Sequence, residues 1–261
     1  MKKHMNTVIY SSEGGIARIT IDKPNSRNSL SLETLRELHS AFERADKDTE
    51  TRVVILAGNG PAFCAGHDLK EIRANAGNEA YAKELFEACA NLMLTITRIS
   101  KPVIARIHGI ATAAGAQLVA TADLAVAADN ARFGTPGVNI GLFCSTPMVA
   151  LSRNVSRKHA MEMLLLGDLV SAEDAYRFGL VNKIVPETEL DDAVNSLARK
   201  IASKSPVAVK TGKAAFYKQH EFGLDDAYAY TAQVMTENLR TFDAGEGICA
   251  FIEKRVPVWG K

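Results

Sequence analysis

The feature that most constrains the fold of this chain is the uninterrupted apolar run VVILA at positions 53–57. A strand that is apolar at every position is buried on both faces, which is typical of a parallel sheet covered by helices. The stretch that begins at Ser31 repeats apolar residues at three- and four-residue steps and predicts an amphipathic helix. Positions 16–21 alternate apolar and polar residues and predict an earlier strand. Strand, helix and buried strand together predict a parallel crossover.

The same alternation continues along the chain. The patterns predict helices at 80–98 and 113–121 and strands at 103–107 and 123–127. From Ser145 onward helix starts dominate, and only 181–185 reads as a strand. We therefore expect an α/β fold, with residues 1–200 as a core and residues 201–261 as a C-terminal helical appendage.

Composition excludes several classes of protein. The 261 residues carry 31 Lys and Arg against 30 Asp and Glu, and this balance argues against a nucleic-acid partner. The apolar stretch 103–128 holds Arg106 and Asp123, so we expect a buried strand and helix there and no membrane partner. The four cysteines are widely spaced and form no metal motif. With no apolar segment after the basic N-terminus, these features lead us to expect a cytoplasmic location.

Two loops rich in small residues follow neighbouring strands. GPAFCAGHDL occupies 60–69, and GIATAAGAQ occupies 109–117 and leads into a helix. Either loop alone is better explained by close packing than by a ligand site. Ligands of open α/β sheets bind at the carboxyl ends of strands, and the first turn of a helix has free N–H groups. Together the loops could supply two converging N–H donors, which is what an oxyanion hole requires.

Four segments in sequence order resemble the crotonase, or enoyl-CoA hydratase/isomerase, family: FCAGHDL at 63–69, HGIATAAGAQ at 108–117, FGTP at 133–136 and AFIEKR at 250–255. The resemblance implies a spiral of ββα turns with a C-terminal helical trimerisation region, and a homo-oligomer that is a trimer or a hexamer. It also implies an acyl-CoA thioester as ligand. Coenzyme A is then part of the substrate, and neither a separate cofactor nor a metal is expected.

The resemblance also implies roles for individual residues. The thioester carbonyl would be held by the backbone N–H groups of His67 and Ala114. The residues expected along the coenzyme A moiety are Arg27, Ala65, Asp68, Leu69 and Lys70, with Phe251 and Lys254 reaching the nucleotide from a neighbouring subunit.

The chain departs from the family at the positions that move protons. Hydratases of this family use two glutamates, and those places here hold Gln117 and Gly137. A glutamine amide can orient water but cannot titrate, and glycine has no side chain. Loss of a proton-transfer group typically costs about 10²- to 10⁴-fold in rate.

The turn at 142–147 holds two other candidates. Ser145 stands where the dehalogenase and dienoyl-isomerase branches have an aspartate, and Cys144 stands close to the tyrosine of a decarboxylase branch. A structural role is the simpler explanation of both: Ser145 is well placed to cap the helix that Pro147 begins, and Cys144 is more often a small buried apolar residue. The run 135–147 resembles a branch of the family that is named for its fold.

Three hypotheses follow from these residues. The first is an acyl-CoA-processing enzyme, nominally an enoyl-CoA hydratase, that depends on the oxyanion hole. The second is a non-catalytic acyl-CoA binder or regulatory subunit. The third is a thioesterase or decarboxylase that uses Cys144 or Ser145.

Overall fold

Strands and helices alternate through residues 7–260, which the computed structural model describes. The strands are β1 (Val8–Glu13), β2 (Ile16–Ile21), β3 (Val53–Gly58), β4 (Val103–Ile107), β5 (Ile110–Thr112), β6 (Leu124–Ala128), β7 (Arg132–Gly134), β8 (Val170–Ser171) and β9 (Lys183–Val185). The helices are α1 (Leu32–Lys47), α2 (Leu69–Ala74), α3 (Glu79–Arg98), α4 (Ala114–Thr121), α5 (Ser145–Asn154), α6 (Arg157–Leu166), α7 (Ala172–Phe178), α8 (Leu190–Ala202), α9 (Pro206–Gln219), α10 (Leu224–Leu239) and α11 (Phe242–Glu253). Short 3₁₀ helices lie at Pro24–Ser26, Pro136–Ile140 and Glu187–Glu189.

The strands form two sheets. A six-stranded sheet has the order β1-β2-β3-β4-β6-β9, and within it only β1 and β2 pair antiparallel. A three-stranded sheet has the order β5-β7-β8. The predicted α/β class and the parallel pairing of β2 with β3 are confirmed. The small sheet was not predicted, because its strands are two or three residues long and have no periodicity to read.

Strand β3 shows why its sequence is apolar throughout. Val54 and Leu56 belong to the main core with α1 and α3, whereas Val53 and Ile55 face the opposite side, where α8 packs. All four side chains are fully buried. The predicted helix start at Ser31 is also confirmed, since its side chain accepts a hydrogen bond from Thr34 N–H.

The C-terminal helices are joined to the core by a buried ion pair. Lys213 on α9 donates to Asp123 Oδ2 at 2.7 Å and to the carbonyls of Ile96 and Lys101, both at 2.9 Å. Tyr217 donates to the other oxygen of Asp123 at 2.8 Å. This cluster fixes α9 against the end of α3.

Among residues 7–260, no helix is long and apolar enough to cross a membrane. The same residues contain no group of histidine, cysteine and carboxylate side chains that could hold a metal ion.

Candidate active site

The two small-residue loops are joined by main-chain hydrogen bonds. Cys64 N–H donates to Ile110 O, and Thr112 N–H donates back to Cys64 O, each at 3.0 Å. The loop after β3 therefore lies directly against β5. The Thr112 hydroxyl adds a hydrogen bond to Ala65 O at 3.2 Å. These contacts bring the ends of β3 and β4 together, as expected from the sequence.

Two glycines allow the loops to touch. Gly66 has φ +92°, and a Cβ built on it would lie 2.9 Å from Ala113 Cβ and 3.4 Å from Ala114 N. A Cβ on Gly115 would lie 2.0 Å from Cys64 O, which is far inside van der Waals contact. Any side chain at either position would push the loops apart. The backbone N–H of Ala114 consequently lies beside the peptide that precedes His67.

Ala113 holds the start of α4 in an unusual conformation. Its φ of 51° and ψ of −117° lie in a region that L residues rarely adopt, and such strain costs about 1–3 kcal/mol. The conformation is fixed in part by the Ala113 N–H, which donates to Gly134 O at 2.8 Å. The strained residue turns the next peptide, so it sets the direction of the Ala114 N–H.

Within residues 7–260, neither the His67 N–H nor the Ala114 N–H donates a hydrogen bond. Ala114 is the first residue of α4, so its N–H has no acceptor inside the helix. The groups on either side of His67 N–H are occupied, because Gly66 O accepts from Leu30 N–H at 2.8 Å and Asp68 N–H donates to Leu30 O at 3.0 Å. The structure thus brings the two predicted donors into adjacent loops and leaves both free.

The His67 side chain is held in apolar surroundings. Its ring makes an edge-to-face contact with Phe86 of α3, with centroids 5.5 Å apart. Both ring nitrogens are buried and have no hydrogen-bond partner in the described part of the chain. Burial lowers the pKa of His67, so the imidazole is neutral at pH 7.

Gln117 lies one turn after Ala114, and its side chain is buried. Its Oε1 accepts a hydrogen bond from the Cys89 thiol of α3 at 3.7 Å. Burial raises the pKa of Cys89 to about 12, so the thiol stays protonated. The position that the resemblance assigns to a glutamate therefore holds a neutral amide that contacts a neutral thiol.

The space beside Gly137 is filled by main chain. A Cβ on this residue would lie 2.3 Å from Leu142 O and 2.8 Å from Cys144 Sγ. Leu142 N–H also donates to Gly137 O at 2.9 Å, which closes the turn between them. The second glutamate position thus lacks a side chain and also lacks the room for one.

Cys144 and Ser145 lie at the start of α5. Burial raises the pKa of the Cys144 thiol, and the Ser145 hydroxyl donates to Phe143 O at 3.4 Å. The helix cap assigned to Ser145 is wrong, because its N–H donates to Phe143 O and Ser145 is already the first residue of α5. Cys144 takes the cap position and makes no side-chain capping bond.

The residues expected along coenzyme A are only partly adjacent. Arg27 O accepts from Ala65 N–H at 3.0 Å, so these two lie together, and Leu69 and Lys70 follow on the exposed start of α2. Phe251 and Lys254 lie at the end of α11, where Phe251 is 85% exposed.

The Asp68 carboxylate accepts hydrogen bonds from neighbouring groups of the same region. Its carboxylate caps α2 by accepting from the N–H groups of Lys70 and Glu71, and it also accepts from the Ser29 hydroxyl at 3.1 Å. Burial acts to raise its pKa, but these hydrogen bonds and the charge of Lys23 outweigh burial and lower it. The carboxylate is therefore ionised at pH 7 and stabilises the start of α2.

Three features of the site could not be predicted from the sequence. They are the positive φ of Ala113, the contact of Cys89 with Gln117 and the carbonyl of Leu142 over Gly137. Alanine is rarely found at positive φ, and the other two contacts join residues from separate elements.

The chain is similar in sequence and structure to proteins of one family. A model of the family described as enoyl-CoA hydratase/isomerase matches residues 11–261. The Xenopus laevis protein named enoyl-CoA hydratase domain-containing protein 3, mitochondrial, is 47% identical over 257 residues, which are 98% of this chain and 87% of that protein. A solved structure described as enoyl-CoA hydratase from Mycobacterium smegmatis is 49% identical with a TM-score of 0.95, and covers 98% of this chain and 99% of its own. The structure of human enoyl Coenzyme A hydratase domain-containing protein 3 is 47% identical with a TM-score of 0.94, and covers 97% of this chain and 100% of its own.

The comparison overturns the expected cytoplasmic location. The frog, rat and human proteins of that name are each described as mitochondrial. The expectation depended on the absence of an apolar signal segment, but mitochondrial transit segments are amphipathic and have none. The absence of an apolar signal segment therefore does not distinguish a cytoplasmic from a mitochondrial protein.

Proposed function

This chain belongs to the enoyl-CoA hydratase/isomerase family and has the crotonase fold, and from that premise we propose that it binds and processes acyl-CoA thioesters through the main-chain N–H groups of His67 and Ala114. The observation that carries the proposal is the pair of adjacent loops in which both of these donors are free. A thioester carbonyl placed between them would accept two hydrogen bonds. These bonds strengthen as negative charge develops on the oxygen.

The coenzyme A part of the ligand is proposed to follow the first loop. Ala65 has no bulk to obstruct it, and the exposed start of α2 supplies Leu69 and Lys70. The backbone of Arg27 lies next to Ala65. Coenzyme A would then enter only as part of the substrate.

The turn around Gly137 favours a second candidate function. Hydration, the activity in the names of several relatives, needs a group that takes a proton from water. The Gly137 position has no room for such a group, and the amide of Gln117 does not titrate. This observation favours, as a second candidate, a non-catalytic acyl-CoA binder.

A paired assay separates the two candidates. Binding of crotonyl-CoA is measured by calorimetry, and hydration is followed by the loss of the enoyl-thioester absorbance. Binding with rapid hydration supports the enzyme and requires a base outside the two glutamate positions. Binding without hydration supports a binder or a different acyl-CoA reaction, and absence of binding contradicts the proposal.

We also propose that α9 to α11 pack against further copies of the chain, as a trimer or as a hexamer of two trimers. No residue of α10 is buried in the single chain. Large apolar side chains along α10 and α11 are more than 60% exposed, among them Leu224, Tyr228, Met235 and Phe242. An exposed apolar surface of this kind marks an interaction site. Sedimentation equilibrium measures the mass of the assembly, and a mass equal to that of one chain would contradict the proposal.

A further inference from the structure

Asn28 is a fully buried asparagine that contacts the beginning of the loop after β3, and both ends of its side-chain amide are bonded. Its Nδ2 donates to Ala62 O at 2.6 Å and to Asn59 O at 2.8 Å. Its Oδ1 accepts from Lys23 N–H at 2.9 Å. A carbonyl only accepts and an N–H only donates, so these partners fix the orientation of the amide. Asn28 therefore joins the segment before α1 to this loop.

The backbone at Arg27 and Asn28 makes a left-handed turn. The two residues have φ values of 51° and 56°. Residues with a side chain enter this region at a cost in energy, which asparagine bears more easily than most. Such a conformation persists only when the surrounding structure holds it, and it is concentrated at functional sites. The Asn28 amide is the side-chain group that holds this turn against the loop.

After the turn, the main chain of the same segment runs along the second half of the loop. Arg27 O accepts from Ala65 N–H at 3.0 Å. Leu30 N–H donates to Gly66 O at 2.8 Å, and Leu30 O accepts from Asp68 N–H at 3.0 Å. The segment 27–30 thus binds the loop on both sides of position 67.

One of these bonds sets the direction of an oxyanion donor. The Gly66 carbonyl and the His67 N–H belong to the same peptide group, and in a planar trans peptide they point in opposite directions. Because the carbonyl is bonded to Leu30 N–H, the His67 N–H points away from Leu30 and is left free. The position of Leu30 depends in turn on the left-handed turn that Asn28 fastens to the loop.

We propose that Asn28 is a positioning residue for the His67 N–H. Its amide fastens the segment 27–30 to the loop, and Leu30 then orients the peptide group that donates to the thioester oxygen. Asn28 acts through these groups and does not touch the ligand. The inference rests on the proposed function, in which the His67 N–H holds the thioester carbonyl.

Calorimetry with a matched pair of ligands tests the inference. Butyryl-CoA has the thioester carbonyl, and S-butyl-CoA has a methylene group in its place. One neutral hydrogen bond strengthens binding by about three- to tenfold, so two donors should give the wild type a preference for butyryl-CoA of about 10- to 100-fold. Asn28→Gly removes the amide and still allows the left-handed backbone. We expect this variant to reduce the preference by about three- to tenfold, through weaker binding of butyryl-CoA.

A second variant changes the same pathway without changing Asn28. Replacement of Leu30 by 2-hydroxy-4-methylpentanoic acid exchanges its N–H for an ester oxygen and removes the bond to Gly66 O. We expect it to reduce the preference by a similar factor. Because the Asn28 amide stays in place, this variant tests the inference even if Asn28→Gly does not fold.

Asn182 offers a matched control. Its Oδ1 accepts from Ala125 N–H at 2.7 Å, near the start of β6. Strands β4 and β6 are parallel, so this bond lies at the opposite end of the sheet from the loops. Asn182→Gly loses a comparable bond between a side chain and the main chain, and it should keep the preference of the wild type.

The outcomes separate this inference from the proposed function. An unchanged preference in Asn28→Gly and in the Leu30 ester, with the two affinities either kept or lowered equally, would overturn the inference and leave the proposed function intact. Equal affinity of the wild type for the two ligands, or binding of neither, would overturn the proposed function itself.

Discussion

Two regions hold the predicted site residues, the loops around Gly66 (the first wall) and the turn from Gly137 to Ser145 (the second wall), and they differ in what they retain. The loops meet through main-chain contacts and present two free N–H donors. In the turn, Leu142 O and Cys144 Sγ occupy the space that a side chain at Gly137 would need. A chain of this fold can therefore keep the groups suited to holding a thioester and lack the groups that move protons.

Several side chains of the candidate site are uncharged at pH 7. Gln117, Cys89 and Cys144 are neutral at pH 7, because an amide does not titrate and burial raises the pKa of both thiols. His67, which belongs to the first wall, is neutral as well, because burial lowers its pKa. A site with these neutral side chains favours hydrogen bonding over proton transfer.

The largest effect is expected from removal of one donor in the first wall. Incorporation of lactic acid in place of Ala114 exchanges the N–H for an ester oxygen and adds no bulk. For a verified substrate we expect turnover to fall about 10²- to 10³-fold, as for the loss of other oxyanion donors. The same replacement at Ala116, two residues later in α4, is the control and should leave the rate close to that of the wild type. An unchanged rate for the Ala114 ester would remove that N–H from the mechanism.

A side chain at Gly115 should separate the two loops. Gly115→Ala places a Cβ 2.0 Å from Cys64 O, and neither group can move without shifting main chain. We expect the free energy of unfolding to fall by about 3 kcal/mol, together with loss of acyl-CoA affinity. Gly212→Ala in α9 meets no atom within 4 Å and should stabilise the protein by about 0.5–1 kcal/mol. Urea titrations of both variants measure the contrast, and equal stabilities would show that the loops are not in close contact.

The second wall should resist reconstruction. Gly137→Glu meets Leu142 O at 2.3 Å, so we expect a loss of about 2 kcal/mol in the free energy of unfolding. The double variant with Gln117→Glu should gain no hydration of crotonyl-CoA. The contrary result is a stable double variant that hydrates this ligand more rapidly than the wild type. It would mean that the turn can make room for a glutamate at position 137.

A smaller effect concerns pH. Because the pKa of His67 is lower in the folded protein than its ordinary value near 6.5, the unfolded chain binds the proton more readily. Stability should therefore fall as the pH drops from about 6.5 toward the folded pKa, by at most about 1.4 kcal/mol per pH unit. Unfolding curves of the wild type and His67→Leu between pH 5 and 8 measure this contribution. Identical pH dependence in the two proteins would show that His67 is not held neutral by burial.

The smallest effect is expected from the turn's own polar side chains. The double variant Cys144→Ala, Ser145→Ala should keep acyl-CoA turnover within about twofold, because burial keeps the Cys144 thiol protonated and the Ser145 hydroxyl donates to Phe143 O. Steady-state kinetics on a verified substrate decide this. A large loss of activity would revive a thioesterase or decarboxylase that uses these residues.

The sequence predicted the first wall better than the second, for physical reasons. Small residues and a strand end are local signals, so the loops at Gly66 and Gly115 could be anticipated, as could the helix start at Ser31. The cap at Ser145 was misplaced, because the turn before it depends on how residues 137–144 fold back. The roles of the coenzyme A residues remain predictions.

The proposed function requires that a thioester carbonyl is held between the His67 and Ala114 N–H groups. Isotope-edited infrared spectroscopy of crotonyl-CoA labelled with ¹³C at the thioester carbonyl tests it directly, because strong hydrogen bonds lower the carbonyl stretching frequency. We expect the carbonyl band of the bound ligand to lie below that of the ligand in water, and to return toward the frequency of the free ligand in the Ala114 ester variant. A bound band at or above the frequency in water would contradict it.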